Sequence, residues 1–213
     1  MAIAPTQPCM CPPVALTLQQ AQETLDTGSV PTVSVWQRWL NRWWQDLGSG
    51  EFEPIEDLPH LSPLLAVYAK SSLGIALNLR ITTDEEIHQF NRDYRNIDRA
   101  TDVLAFSALE AIPPGILLAQ KAAEDPEEPE PIELGDIIIS LDTAKVQAQR
   151  LGHDLTLELA WLSAHGLLHL LGWDHGDRPH LEQMLTRQQT LLTAANLGKV
   201  NWGALDIADL GYD

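Results

Sequence analysis

The segment His165-Gly-Leu-Leu-His-Leu-Leu-Gly-Trp-Asp-His175 constrains this chain more than any other stretch of its sequence. His165 and His169 are one helical turn apart, so a helix places both imidazoles on the same side, close enough to share one metal ion. Gly172 can adopt the left-handed conformation that ends a helix, and the turn that follows can bring back His175 as a third ligand. We therefore expect a metal site at the end of a long helix.

Three neutral imidazoles suit zinc or a similar borderline divalent cation, and a fourth position left to solvent is typical of catalytic sites. Two histidines four residues apart on an apolar helix can also be metal-free core residues, but a third histidine beyond a glycine favours the metal. The spacing is also that of the metzincin proteases, in which a glutamate after the first histidine is the general base. Gly166 occupies that position here, so a peptidase would lack its base.

Hydrophobic periodicity and capping residues predict four short strands and five helices. The strands are expected at Val14 to Gln19, Leu77 to Ile81, Val103 to Phe106 and Glu133 to Ser140. The helices are expected at Ser34 to Leu47, from Thr83 past Tyr94, and in three stretches that begin at Asp142, Asp154 and Asp177. Strands first and a helical second half indicate an α+β fold with a small mixed β-sheet covered by helices.

The composition along the chain predicts one main domain with less ordered flanks. Residues 1–13 are rich in proline and are expected to be disordered, and residues 14–196 are expected to form a single domain that contains the metal site. Residues 120–132 combine like charges with prolines, which predicts a solvated acidic insertion. Residues 197–213 are expected to be a C-terminal tail.

The charge balance limits how the chain can attract a partner. Thirteen Lys and Arg residues against thirty Asp and Glu residues give a formal net charge of -17. A long-range basic attraction to nucleic acid or to an anionic membrane is therefore excluded, and a polyanionic substrate must be held by local arginines or by a bound cation. No apolar run approaches the roughly eighteen residues of a membrane span, and the opening residues are not typical of a secretory signal. We expect a cytoplasmic protein.

Three blocks of sequence resemble one known family. The segment from His165 to His175 is similar to the signature of the YbeY-type endoribonucleases, the rRNA maturation factors. The family's upstream motif resembles the pair of segments Asn91-Arg-Asp-Tyr-Arg95 and Thr101-Asp-Val-Leu104, which have the same spacing as in that motif. The family's next strand resembles Leu134-Gly-Asp136-Ile. Ala105 and Ser107 depart from the family pattern, which usually has Ser and Pro there.

The resemblance implies a zinc-dependent, single-strand-specific endoribonuclease with one Zn²⁺ per chain. It also implies work in ribosomal RNA maturation, including the 16S rRNA 3′ end, and in ribosome quality control. The implied partners are single-stranded RNA, ribosomal RNA, the small ribosomal subunit and ribosome-assembly proteins. Residue by residue, His165, His169 and His175 match the metal ligands, and Arg95 matches the motif arginine that acts on RNA phosphate; these four are the expected catalytic residues.

Several alternatives remain at this point. A planar guanidinium can hold a phosphate through two bonds, but Arg95 could instead brace its loop through Asp98 or Asp102. Asp174 could simply hold the turn, but we favour a role in which it orients a ligand imidazole. The nucleophile is either a metal-activated water or the RNA 2′-hydroxyl. The competing functions are a metallopeptidase and a non-catalytic, zinc-stabilised assembly factor, and the latter would require a fourth protein ligand.

Overall fold

Four strands form one mixed sheet in the computed structural model, which describes residues 14–21, 24, 30–48, 74–111 and 131–202. The strands are β1 (Ala15–Gln20), β2 (Ile75–Thr82), β3 (Val103–Ser107) and β4 (Ile132–Ser140). Their order in the sheet is β1-β2-β4-β3; β2 is parallel to both β1 and β4, and β3 is antiparallel to β4. The predicted mixed sheet is confirmed, and β3 is an edge strand.

Five helices cover this sheet, as the α+β prediction requires. They are α1 (Val33–Gly48), α2 (Asp84–Arg95), α3 (Leu141–Leu151), α4 (Leu155–Leu170) and α5 (Arg178–Ala194), and a short 3₁₀ turn follows β3 at Leu109–Ala111. No helix in the described part of the chain is long and apolar enough to cross a membrane. The expectations for residues 1–13, 120–130 and 203–213 fall outside the described residues.

The two faces of the sheet bury different sets of side chains. Along β3, Val103 and Ala105 pack against the main core, whereas Leu104 and Phe106 belong to a smaller cluster with Ile87 of α2. Alternate side chains of a strand point to opposite faces, so α2 covers one face and the main core, to which α1, α4 and α5 contribute, lies on the other. The edge strand β3 therefore separates α2 from α4.

The helix N-termini follow the predicted caps with one correction. Asp154 and Asp177 cap α4 and α5 as predicted, each accepting a backbone N–H three residues later. Helix α3, however, is capped by Ser140, whose hydroxyl accepts from the N–H of Thr143 at 3.2 Å, and not by Asp142. Because β4 runs directly into α3, Ser140 is the last non-helical residue. The carboxylate of Asp142 instead accepts the N–H of Asp84 at 3.1 Å.

Helix α4 lies against β4 at a distance that only glycine allows. A Cβ atom at Gly166 would lie 2.7 Å from Cγ2 of Ile137, a residue that is itself only 1% exposed. A contact this short requires a neighbouring atom to move. Because protein interiors are densely packed, such a movement lowers the stability of the fold. Gly166 therefore fixes how closely the histidine-bearing helix approaches the sheet.

We expect Gly166→Ala to lower the free energy of unfolding by about 1–2 kcal/mol, since overpacking outweighs the gain in helix propensity. Ile137→Leu removes the Cγ2 methyl, so the penalty should shrink in that background. Gly176→Ala is the control, because a Cβ there meets no atom within 4 Å. Urea unfolding of Gly166→Ala, Ile137→Leu, the double variant and Gly176→Ala measures these free energies. A Gly166→Ala protein as stable as wild type would contradict the packing described.

Candidate metal centre

The three histidines converge beside the last turn of α4. His165 and His169 lie one turn apart on this helix, which ends at Leu170. Gly172 then adopts a left-handed conformation (φ 84°), and its N–H donates to the carbonyl of His169 at 2.8 Å. The reversed chain brings the His175 ring to within about 5 Å of the other two, with ring centroids 5.3 Å from His165 and 5.0 Å from His169. The predicted convergence is confirmed.

A buried glutamine orients the first histidine. Gln188 of α5 is fully buried, and its Nε2 donates to the carbonyl of Trp161 at 2.9 Å. The Oε1 atom of the same amide is therefore the group that lies 3.2 Å from Nδ1 of His165, and it accepts the Nδ1–H. This leaves the lone pair on Nε2 of His165. Gln188 thus selects the tautomer that a metal ligand requires.

The second histidine is oriented by the turn that follows it. The ring of His169 is hydrogen-bonded to the backbone of Trp173. Because the N–H of Trp173 already donates to Leu168, the carbonyl is the group that accepts from this ring. The Nε2 atom of His169 lies 3.0 Å from Nε2 of His165.

The three histidines are close enough to bind the same ion. The possible ligand atoms of all three histidines lie within 4.8 Å of one another. The pKa of His165 is lowered to about 4 and that of His169 to about 2, and burial is the largest cause of both shifts. Both rings are therefore neutral at neutral pH, the form that binds a metal. The residues present fit a divalent cation, and the group of ligands within the described chain has three members.

Arg95 reaches the same region from α2. It is the last residue of that helix, it is exposed, and its Nη2 lies 3.3 Å from the carbonyl oxygen of Ala105. The even-numbered residues of β3 bond to β4, so the carbonyl of Ala105 points away from the sheet at its free edge. The charge of Arg95 contributes to the lowered pKa of both His165 and His169. The fold therefore brings this arginine near the histidine cluster.

The loop-bracing alternative for Arg95 has no support among the described contacts. Asp98 accepts from Nε2 of His88 at 2.7 Å. The carboxylate of Asp102 accepts the N–H of Val103 at 2.7 Å and Nε2 of Gln147 at 2.9 Å. No ion pair joins Arg95 to a carboxylate in the part of the chain that the structure describes.

The sequence interpretation missed Gln188 and favoured a ligand-orienting role for Asp174. The carboxylate of Asp174 accepts the N–H of His175 at 2.8 Å, so it stabilises the turn. Gln188 carried a signal that could have been found, because it occupies a position in the buried stripe of α5. That stripe is otherwise apolar, with Leu181, Met184, Leu185, Leu191 and Leu192. A polar residue inside such a stripe needs a buried partner.

Comparison with known proteins agrees with this geometry. The family model described as "Endoribonuclease YbeY" matches residues 58–196. The chain is 42% identical to the Endoribonuclease YbeY of a Cyanothece species, over 86% of this chain and 94% of the relative. It is 42% identical to that of a Picosynechococcus species, over 78% and 85% of the two chains. It is 47% identical to that of Synechococcus elongatus, over 74% and 75%.

We expect Gln188→Leu to weaken the binding of a divalent metal by about 10–100-fold, because the Nδ1–H of His165 loses its acceptor. Gln188→Glu keeps an acceptor and should retain more of the affinity, whereas His169→Ala is the reference for a lost ligand. Competition with a chelator of known affinity measures each dissociation constant. A Gln188→Leu protein that is folded and binds metal as tightly as wild type would show that His165 does not depend on this amide.

Proposed function

The chain belongs to the YbeY endoribonuclease family, and on that premise we propose that it is a zinc-dependent endoribonuclease that cuts single-stranded RNA. Its proposed substrate is ribosomal RNA, including the 3′ end of 16S rRNA, during maturation and quality control of the small ribosomal subunit in the cytoplasm. Ribosome-assembly proteins are its proposed partners. The family membership and the endoribonuclease activity for which the relatives are named support the RNA substrate.

One observation carries the proposal: three imidazoles converge at one end of α4, and the charge of Arg95 is near enough to lower the pKa of two of them. His165, His169 and His175 would hold the zinc ion. Three nitrogen ligands suit zinc, and catalytic zinc sites have three protein ligands where structural sites have four. A bound ion would act there as a Lewis acid on the phosphate and lower the pKa of water.

Arg95 supplies a local positive charge on an acidic protein. With a formal net charge of -17, the protein as a whole repels RNA, so attraction must be local. The guanidinium of Arg95 is exposed and has no carboxylate partner among the described residues, whereas neighbouring Arg92 pairs with Asp93 at 3.1 Å. A planar guanidinium can bind two phosphate oxygens and stabilise the charge that develops on them. Either water or the RNA 2′-hydroxyl is the attacking group.

The peptidase alternative is disfavoured by packing as well as by sequence. A side chain at position 166 would point at Ile137 of the sheet, since its Cβ would lie 2.7 Å from that residue. A glutamate there would enter the core between α4 and β4. The non-catalytic alternative needs a fourth protein ligand, and the described group has three.

The substrate class is tested with zinc-loaded protein, unstructured RNA and casein, each with and without a chelator. We expect chelator-sensitive cleavage of RNA and intact casein. Loss of RNA cleavage in His169→Ala would exclude a contaminating nuclease. Chelator-sensitive cleavage of casein with intact RNA would overturn the proposal.

Arg95→Ala and Arg95→Lys should both reduce RNA cleavage by something on the order of a hundredfold, because a point charge does not reproduce the two-bond planar contact. Bound metal and melting temperature should stay at the wild-type values. Arg92→Ala is the matched control, since it removes an exposed arginine of the same helix that is paired with Asp93. Full activity in folded Arg95→Ala would eliminate the catalytic role.

A further inference from the structure

A row of three aromatic side chains lies next to Arg95 on the α2 face of the sheet. Tyr94 is 68% exposed, although it is a large aromatic residue. Its ring stacks on Phe90, with centroids 6.2 Å apart and planes at 27°, and meets Phe106 edge to face at 5.4 Å. Phe90 and Phe106 are themselves packed against the small core cluster of α2 and β3. The ring of Tyr94 is therefore held in place from beneath while much of its surface faces solvent.

This aromatic row and the histidine cluster flank the same edge strand. Arg95 donates to the carbonyl of Ala105, and the ring of Tyr94 contacts the side chain of the next residue, Phe106. Ala105 packs toward the main core, whereas Phe106 packs toward α2. Arg95 thus lies at the boundary between the face with α4 and the face with Tyr94. A ligand bound by Arg95 can therefore extend to either face of the sheet.

We propose that the exposed surface of Tyr94 stacks with an unpaired base of the RNA whose phosphate Arg95 binds. This inference rests on the proposed function and adds a reason for its preference for single strands. Aromatic side chains stack on the π-face of any base, which gives binding without sequence preference. A base in a duplex is paired and stacked on its neighbours, so it does not reach such a ring.

The charges around Tyr94 suit an anionic strand. Of the two nearest carboxylates in sequence, Asp93 is paired with Arg92 at 3.1 Å, and Asp98 is hydrogen-bonded to Nε2 of His88 at 2.7 Å. Arg95 contributes a positive charge that no described carboxylate matches. The exposed aromatic ring therefore lies beside the positive charge of Arg95 on a protein that is acidic overall. This combination favours a nucleotide, with its base and its phosphate, over an apolar peptide as the ligand.

Single-turnover cleavage of a short single-stranded RNA by the zinc-loaded protein, at increasing protein concentration, tests the inference. Tyr94→Leu should raise the half-saturating concentration about tenfold and leave the plateau rate within about twofold. Tyr94→Phe keeps the ring and should behave as wild type. Val146→Ala, which changes an apolar residue of α3 that is 65% exposed, is the control. Equal melting temperatures of the variants show that the comparison concerns folded protein.

A series of RNAs with one abasic position each identifies the stacked base. With wild-type protein, one abasic position should reproduce the tenfold increase, and with Tyr94→Leu that position should cause no further loss. A wild-type half-saturating concentration in Tyr94→Leu, or an abasic penalty that persists in this variant, would overturn the stacking inference and leave the endoribonuclease proposal intact. Failure of the wild-type protein to cut any RNA would instead overturn the proposed function.

Discussion

The close packing of α4 against the sheet is the constraint on which the rest of this structure depends. The helix is buried on nearly all sides, and Gly166 allows it to approach Ile137 of β4. That contact fixes the position of the last helical turn, which carries His165 and His169. The same strand β4 pairs with β3, whose free edge receives Arg95. One close helix-sheet contact therefore sets the geometry between the metal ligands and the arginine.

The orientation of the ligands depends on a second set of interactions, which are buried hydrogen bonds. Gln188 is fully buried, and both ends of its amide are used, one by Trp161 and the other by His165. The turn at Gly172 supplies a backbone partner for His169. The bond from His165 to Gln188 leaves the Nε2 lone pair of His165 available, so this ligand is oriented before a cation binds. Burial keeps the rings neutral, which favours metal over proton at neutral pH.

Much of this site could be predicted from the sequence because its signals are local. One helical turn separates His165 from His169, and a glycine at the helix end returns the chain toward them. The contacts that complete the site are not local. Gln188 lies 23 residues beyond His165, and the contact between Arg95 and Ala105 depends on the order of strands in the sheet. The prediction that Asp142 caps α3 was wrong for a related reason, since strand β4 continues directly into the helix and Ser140 is the N-cap.

The central claim is that three histidines, and no fourth protein ligand, hold one catalytic cation. X-ray absorption on protein loaded with one equivalent of zinc tests it most directly, because the spectrum reports the number and type of ligand atoms. We expect three imidazole nitrogens at about 2.0–2.1 Å from the zinc ion, together with an oxygen ligand from solvent. A spectrum that requires four protein ligands, or fewer than three imidazoles, would contradict it.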